Sequence, residues 1–168
     1  YICVMPGTVL RDLYDTFGQR LLESNVRTFL QFRGKVNQGM KSTLLQNPEN
    51  FFAYNNGLTV TASAIELENK SGKLLIKKLD NMQIVNGGQT TSAIYFSPLS
   101  KGKQQGIDFR DIDLTKVYVQ MKLTVIDNDE DSEIIKSNVA KYANSQNAIQ
   151  AADLISNHPL HREIEKQS

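Results

Sequence analysis

The chain is 168 residues long, 40% apolar and 22% charged, and its 19 basic and 18 acidic side chains leave a net charge of +1. That composition fits a single globular domain with a core of its own, and excludes a disordered chain or one whose overall charge recruits nucleic acid. Cys3 is the only cysteine, which excludes an internal disulfide and a cysteine-rich zinc site and leads us to expect a reducing, cytoplasmic setting. No apolar run approaches the roughly 20 residues that span a bilayer, and no signal-peptide pattern is visible.

In chain order, Tyr1–Met5 reads as a short apolar strand ended by Pro6-Gly7. It opens in mid-pattern, so a larger protein with flanking domains is expected. Thr8 offers an N-cap, and Leu10, Leu13, Tyr14, Phe17 and Leu21 recur at helical spacing, predicting a helix over Val9–Glu23. Asn25–Phe32 fits helix or strand. A second helix is expected after Asn37 and has to finish by Asn47, because Pro48 disfavours helical geometry in the residue before it. Phe51–Tyr54, Leu58–Leu67, Lys73–Leu79 and Met82–Val85 read as strands, Gln89–Phe96 as a helix and Lys101–Gly106 as a polar loop. In Lys116–Ile126 the residues Val117, Val119, Met121, Leu123 and Val125 alternate with polar ones, which predicts a strand with one buried face. A helix over Asp131–Asn144 follows, then a short one from about Ala151, broken by His158-Pro159. The fold class expected is α+β, with a mixed, partly antiparallel central sheet flanked by helices.

Four polar segments stand out. In Asn86-Gly87-Gly88-Gln89-Thr90 a strand ends, two glycines free the backbone and a helix begins. The N–H groups of Gly88, Gln89 and Thr90 would there face an anion. The competing reading is a tight turn with Thr90 as N-cap. Asn55-Asn56-Gly57 fits a type I′ hairpin turn, or else a pair of amides directed into a cleft. Arg27 is either a surface ion-pair partner or a bidentate anion ligand. Asn144, in the amide-rich run that ends the helix, is either part of a polar C-cap or a ligand contact.

Other chemistry has weaker support. Glu68-Asn69-Lys70 matches part of a restriction-type nuclease site but falls where a hairpin turn is expected. His158 and His161 lack further metal-type ligands nearby, so no metal site is assigned. The sequence names no particular cofactor and leaves that assignment open.

The order of these segments resembles the AIPR family of abortive-infection phage-resistance proteins. The resemblance runs from Leu13-Tyr14 through Leu21–Leu30, Asn55–Val60 and Gln83–Thr91 to Ala143–Asn147 and Asp153-Leu154. A more distant likeness is to ParB-like and sulfiredoxin-like domains of defence proteins. In those, a Gly-containing turn binds nucleotide phosphates, but Asn86 and Thr90 stand where that pattern has an acidic residue and an arginine. The resemblance implies a bacterial antiviral protein whose pocket, lined by Arg27, Asn55, Asn56, Asn86, Gly87, Gly88, Gln89, Thr90 and Asn144, binds nucleotide or nucleic acid. Two alternatives stay open. One is a catalytic domain, a nucleotide hydrolase or a nuclease with Asp80, Asp127 or Asp153 on a metal. The other is a structural interaction domain.

Overall fold

The computed structural model describes residues 1–22, 37–127 and 131–145. Its centre is a four-stranded sheet of β1 (Ile2–Pro6), β2 (Leu58–Ala62), β5 (Gln83–Asn86) and β8 (Tyr118–Val125), in the order β1-β8-β2-β5. β8 pairs antiparallel with β1 and parallel with β2, and β2 pairs antiparallel with β5, so the sheet is mixed. Val117, Val119, Met121 and Leu123 are buried and Val125 packs partly buried against the same core. The face given by their alternation is therefore the core face.

Helix α1 (Gly7–Phe17) buries Leu10 and Tyr14 and packs beside α4 (Gly88–Phe96). It is shorter than its periodicity suggests. Gly18 adopts φ +55° and its N–H caps the Tyr14 carbonyl, after which Gly18–Leu21 continues as a 3₁₀ turn. The first N-cap is Pro6 rather than Thr8. Helix α2 (Gln38–Gln46) starts where expected, with the Asn37 carboxamide accepting from the Gly39 and Met40 N–H groups.

Phe51–Tyr54 is a helical turn, α3, and not a strand. Pro48 opens a 3₁₀ turn over Pro48–Asn50 that feeds directly into it, and Asn55 Nδ2 donates to the Phe51 carbonyl at 2.8 Å. Aromatic β-propensity loses here to a proline-set turn and to the complete burial of Phe51. The expected strand Leu58–Leu67 is divided at Ser63, whose N–H donates to Asp80 O at 2.8 Å. β3 (Ala64–Lys70) leaves the sheet there and pairs only with β4 (Lys73–Asp80), as a separate ribbon. Ser71 and Gly72 both have positive φ, giving a two-residue type I′ turn where the sequence places a hairpin. Gln105 and Gly106 repeat that geometry between β6 (Lys103–Gln104) and β7 (Ile107–Asp108), so the polar loop is a small hairpin. The last described element is α5 (Ser132–Ser145), which lies against β5 on the face of the sheet away from the core. The segments expected over Asn25–Phe32 and beyond Ala151 lie outside the described residues.

Gly57 has φ +75°, and an added Cβ would overlap the Gln120 carbonyl of β8. Gly57→Ala is expected to lower stability by about 1–3 kcal/mol through backbone strain alone, read as a reduced denaturant midpoint. Phe51→Ala should cost about 3–5 kcal/mol through its cavity. Phe52→Ala, at an exposed position one residue on, should cost far less. Equal losses at the two positions would contradict the helical assignment of Phe51–Tyr54.

Candidate functional site

A cavity of about 1110 Å³ opens where β5 ends and β2 begins. Its floor is the sheet face away from the core, with Thr61, Gln83, Val85 and Asn86. One wall is a stripe of α5 in which Glu133, Lys136, Ser137, Ala140, Lys141 and Asn144 follow at three- and four-residue spacing. Opposite stand Tyr54-Asn55-Asn56-Gly57 and the start of α2, and Gly87-Gly88-Gln89-Thr90 close the end. The sequence segments around Asn55, Asn86 and Asn144 therefore meet on one concave surface. Arg27 lies outside the described residues.

Each segment reaches the cleft for a local reason. Gly87 is the N-cap of α4 with φ +115°, and a Cβ there would overlap Leu58 and press on Gly57 O. Only glycine satisfies both the left-handed backbone and that close approach. No described side chain caps α4. The Thr91 N–H bonds Gly87 O at 2.9 Å, and the first three N–H groups of the helix have no partner among the described residues. Thr90 is buried within the first turn and is not the N-cap. Asn56 has no positive φ, so the hairpin reading of Asn55-Asn56-Gly57 fails. The segment instead carries α3 into β2.

The asparagines are committed in one direction. Asn86 Nδ2 donates to Ala143 O at 2.6 Å, and Asn144 Nδ2 donates to Val85 O at 3.3 Å and to Ala140 O at 2.8 Å. These bonds clasp the last turns of α5 to the end of β5. Main-chain carbonyls only accept, so the orientation of each carboxamide is fixed by its partner. Asn55, Asn86 and Asn144 all spend N–H donors on the backbone and retain their Oδ1 acceptors. A ligand that satisfies them brings N–H or O–H donors, while the first N–H groups of α4, with Lys136 and Lys141, favour an anion. Lys136 is partly engaged, at 2.8 Å from Glu133.

Sequence reasoning missed the α5 stripe apart from Asn144, although its spacing was readable; nothing in the sequence said which face of that helix met the sheet. The other residues considered for chemistry lie elsewhere. Asp80 ends β4 in an ion pair with Lys78 at 2.8 Å. Asp127 is exposed after β8, and Glu68–Lys70 closes the β3–β4 ribbon. Asp153, His158 and His161 lie outside the described residues. Asp108, whose carboxyl Arg110 holds well below the usual carboxylate range through hydrogen bonds, is not among the cleft residues. Among the described residues no group of three or more His, Cys, Asp and Glu is placed to hold a metal ion.

The clasp generates a mutational test. Asn86→Ala and Asn144→Ala each remove donors to part-buried carbonyls and should cost about 1–3 kcal/mol. Asn86→Asp sets a carboxylate against Ala143 O, so near neutral pH it should lose more than Asn86→Ala. Protonation restores a donor, so the folded-state pKa of the new carboxyl is raised. Its share of the stability is then present in acid and lost as pH rises through that pKa. Denaturant midpoints at pH 4 and pH 7.5 would check the sign.

The described residues include no helix long and apolar enough to cross a membrane. No curated protein and no solved structure matches the chain. The family model described as AIPR protein matches residues 22–168, which takes in the α3–β2 connection, the Gly87-Gly88 turn and the α5 stripe. The chain belongs to the AIPR family.

Proposed function

We propose that this domain binds a nucleotide or nucleic-acid ligand in the amide-lined cleft, as the recognition part of a bacterial phage-defence protein working in the cytoplasm beside further domains of its own chain. Membership of the AIPR family suggests the defence role. The observation that carries the ligand reading is the union, on one cavity, of the uncapped start of α4, the lysines of α5 and three oriented carboxamides. Phosphate needs the first two. Base or sugar N–H and O–H groups need the third. Arg27, from the same set of family blocks, would add charge to the anion side. Neutral amides recognise such a ligand without requiring acid–base chemistry, and among the described residues Glu133 is the one carboxylate in the lining.

The test is thermal melting and calorimetry of the domain with AMP, ATP and GTP, with inorganic phosphate as the control, each with and without Mg²⁺. A bound nucleotide raises the melting temperature by mass action, and inorganic phosphate alone should do so less. Lys141→Ala, at an exposed position on α5, should weaken nucleotide binding by about 1.5 kcal/mol or more if the contact is a charge-assisted hydrogen bond. Gln89→Ala should weaken it as well. Wild-type protein that responds to no nucleotide, or variants that bind as the wild type does, would defeat the reading. Turnover of nucleotide with Mg²⁺ would move the protein to the catalytic alternative.

A further inference from the structure

The cleft continues onto an open part of the sheet. Register places Ile2 beside Lys122, Lys122 beside Thr59, and Thr59 beside Asn86. These four residues form one row across all four strands, on the face away from the core, and Asn86 ends that row inside the cleft. Parallel to it, Val4 lies beside Gln120 and Pro6 beside Tyr118. Among the described residues α5 lies against β5, and Ile2, Val4, Tyr118, Gln120 and Lys122 are exposed. α3 flanks this surface, for Gln120 Nε2 donates to Phe52 O at 3.2 Å and the following Tyr54 is 68% exposed.

The shape and charge of this surface are informative. The α5 stripe from Glu133 to Asn144 spans eleven residue steps, or about 16 Å, so the walled part alone is elongated. None of the open-face positions carries a carboxylate, although the chain has 18 acidic residues. Lys122 and Lys141 form no salt bridge with any described residue. Exposed tyrosines at 118 and 54 share this surface with the lysines, Tyr118 four residues or about 13 Å along β8 from Lys122, and rings spaced among cations suit a strand whose bases stack while its phosphates follow positive charge.

We infer that the occupant is a single-stranded nucleic acid. One end enters the cleft at the Gly87-Gly88 turn, and the strand runs across β2 and β8 toward β1, with phosphates near Lys141 and Lys122 and bases on Tyr54 and Tyr118. This rests on the nucleotide or nucleic-acid reading of the cleft and extends it from one nucleotide to several. An extended protein segment laid along Ile2 and Val4 is the competing occupant. The uncharged polar residues and Lys122 between those side chains and the cleft favour the nucleic acid.

The experiment is fluorescence anisotropy of the whole chain with labelled 15-nucleotide single strands of DNA and of RNA, at 50 and 200 mM salt, beside calorimetry with AMP. The single strand should bind at least about tenfold more tightly than AMP, and its affinity should fall with salt. Lys122→Ala and Tyr118→Ala are surface changes outside the cleft. Tyr118→Ala should weaken the 15-mer about fivefold or more, as loss of one stacked base does. Lys122→Ala should weaken it and flatten its salt dependence, and both variants should leave AMP binding unchanged. If AMP binds but the 15-mer binds no more tightly, the track is overturned, the cleft reading stands and the open face belongs to another class of partner. If the 15-mer binds indifferently to both variants, the path across β8 is likewise overturned. If neither AMP nor any single strand binds, the inference and the reading beneath it fail together.

Discussion

β8 is hydrogen-bonded on both sides, to β1 and to β2, and that constraint organises the rest of the domain. A strand with no free edge cannot slip by one residue without exchanging its faces, and such a slip would put Met121 and Leu123 into solvent. Its alternation therefore decides which side α1 and α4 cover, and which side is left for polar residues. The parallel register with β2 brings Gly57 against the Gln120 carbonyl and excludes any larger residue there. That close approach holds the α3–β2 connection beside the cleft. Gly87, one strand further on, is fixed by its own approach to Leu58 and Gly57. The cleft is the place where these two tight backbone contacts end.

The amide side chains of the cleft serve the fold, and under the proposed reading they serve the site as well. Asn86 and Asn144 join β5 to α5 through side-chain bonds to main-chain carbonyls, beside the buried Ala140. These bonds give part-buried main-chain carbonyls at the strand end and the helix end a side-chain partner. With the N–H groups engaged, the acceptor oxygens are the part that the proposed ligand would meet. A turn or cap reading and a binding reading of these residues are therefore compatible, because a carboxamide has separate donor and acceptor ends. Asn55 follows the same logic through its bond to Phe51 O.

The sequence was most legible where periodicity was strong and loops were short. The β8 alternation, the α4 start after paired glycines and the Asn37 cap all correspond to local physics that tertiary contacts reinforce. It was least legible where local preference and packing diverged. Phe51–Tyr54 has strand-like composition, but Pro48 and a fully buried Phe51 make it helical. Leu58–Leu67 is one apolar-alternating run, yet the hydrogen bond from Ser63 to Asp80 turns half of it into a separate ribbon. For the cleft, the amides and glycines could be named from the sequence because their residue types are unusual at element ends. Lys136 and Lys141 could not, since a solvated helix face carries lysines just as readily.

The sequence by itself determined the α+β class, the face of β8 that is buried, and the segments in which polar residues interrupt a predictable pattern. Those properties follow from side-chain period and from the turn chemistry of Gly, Asn and Pro, which act over a few residues. Only the tertiary structure decided that β2 lies parallel to β8, that the glycine turn and the α5 stripe meet, and that the outer residues of β1 and β8 beyond them are exposed. These are outcomes of strand order and helix placement, set by contacts between residues as far apart as Asn86 and Ala143. No local pattern specifies such a pairing, because it is stabilised only when the whole sheet is assembled.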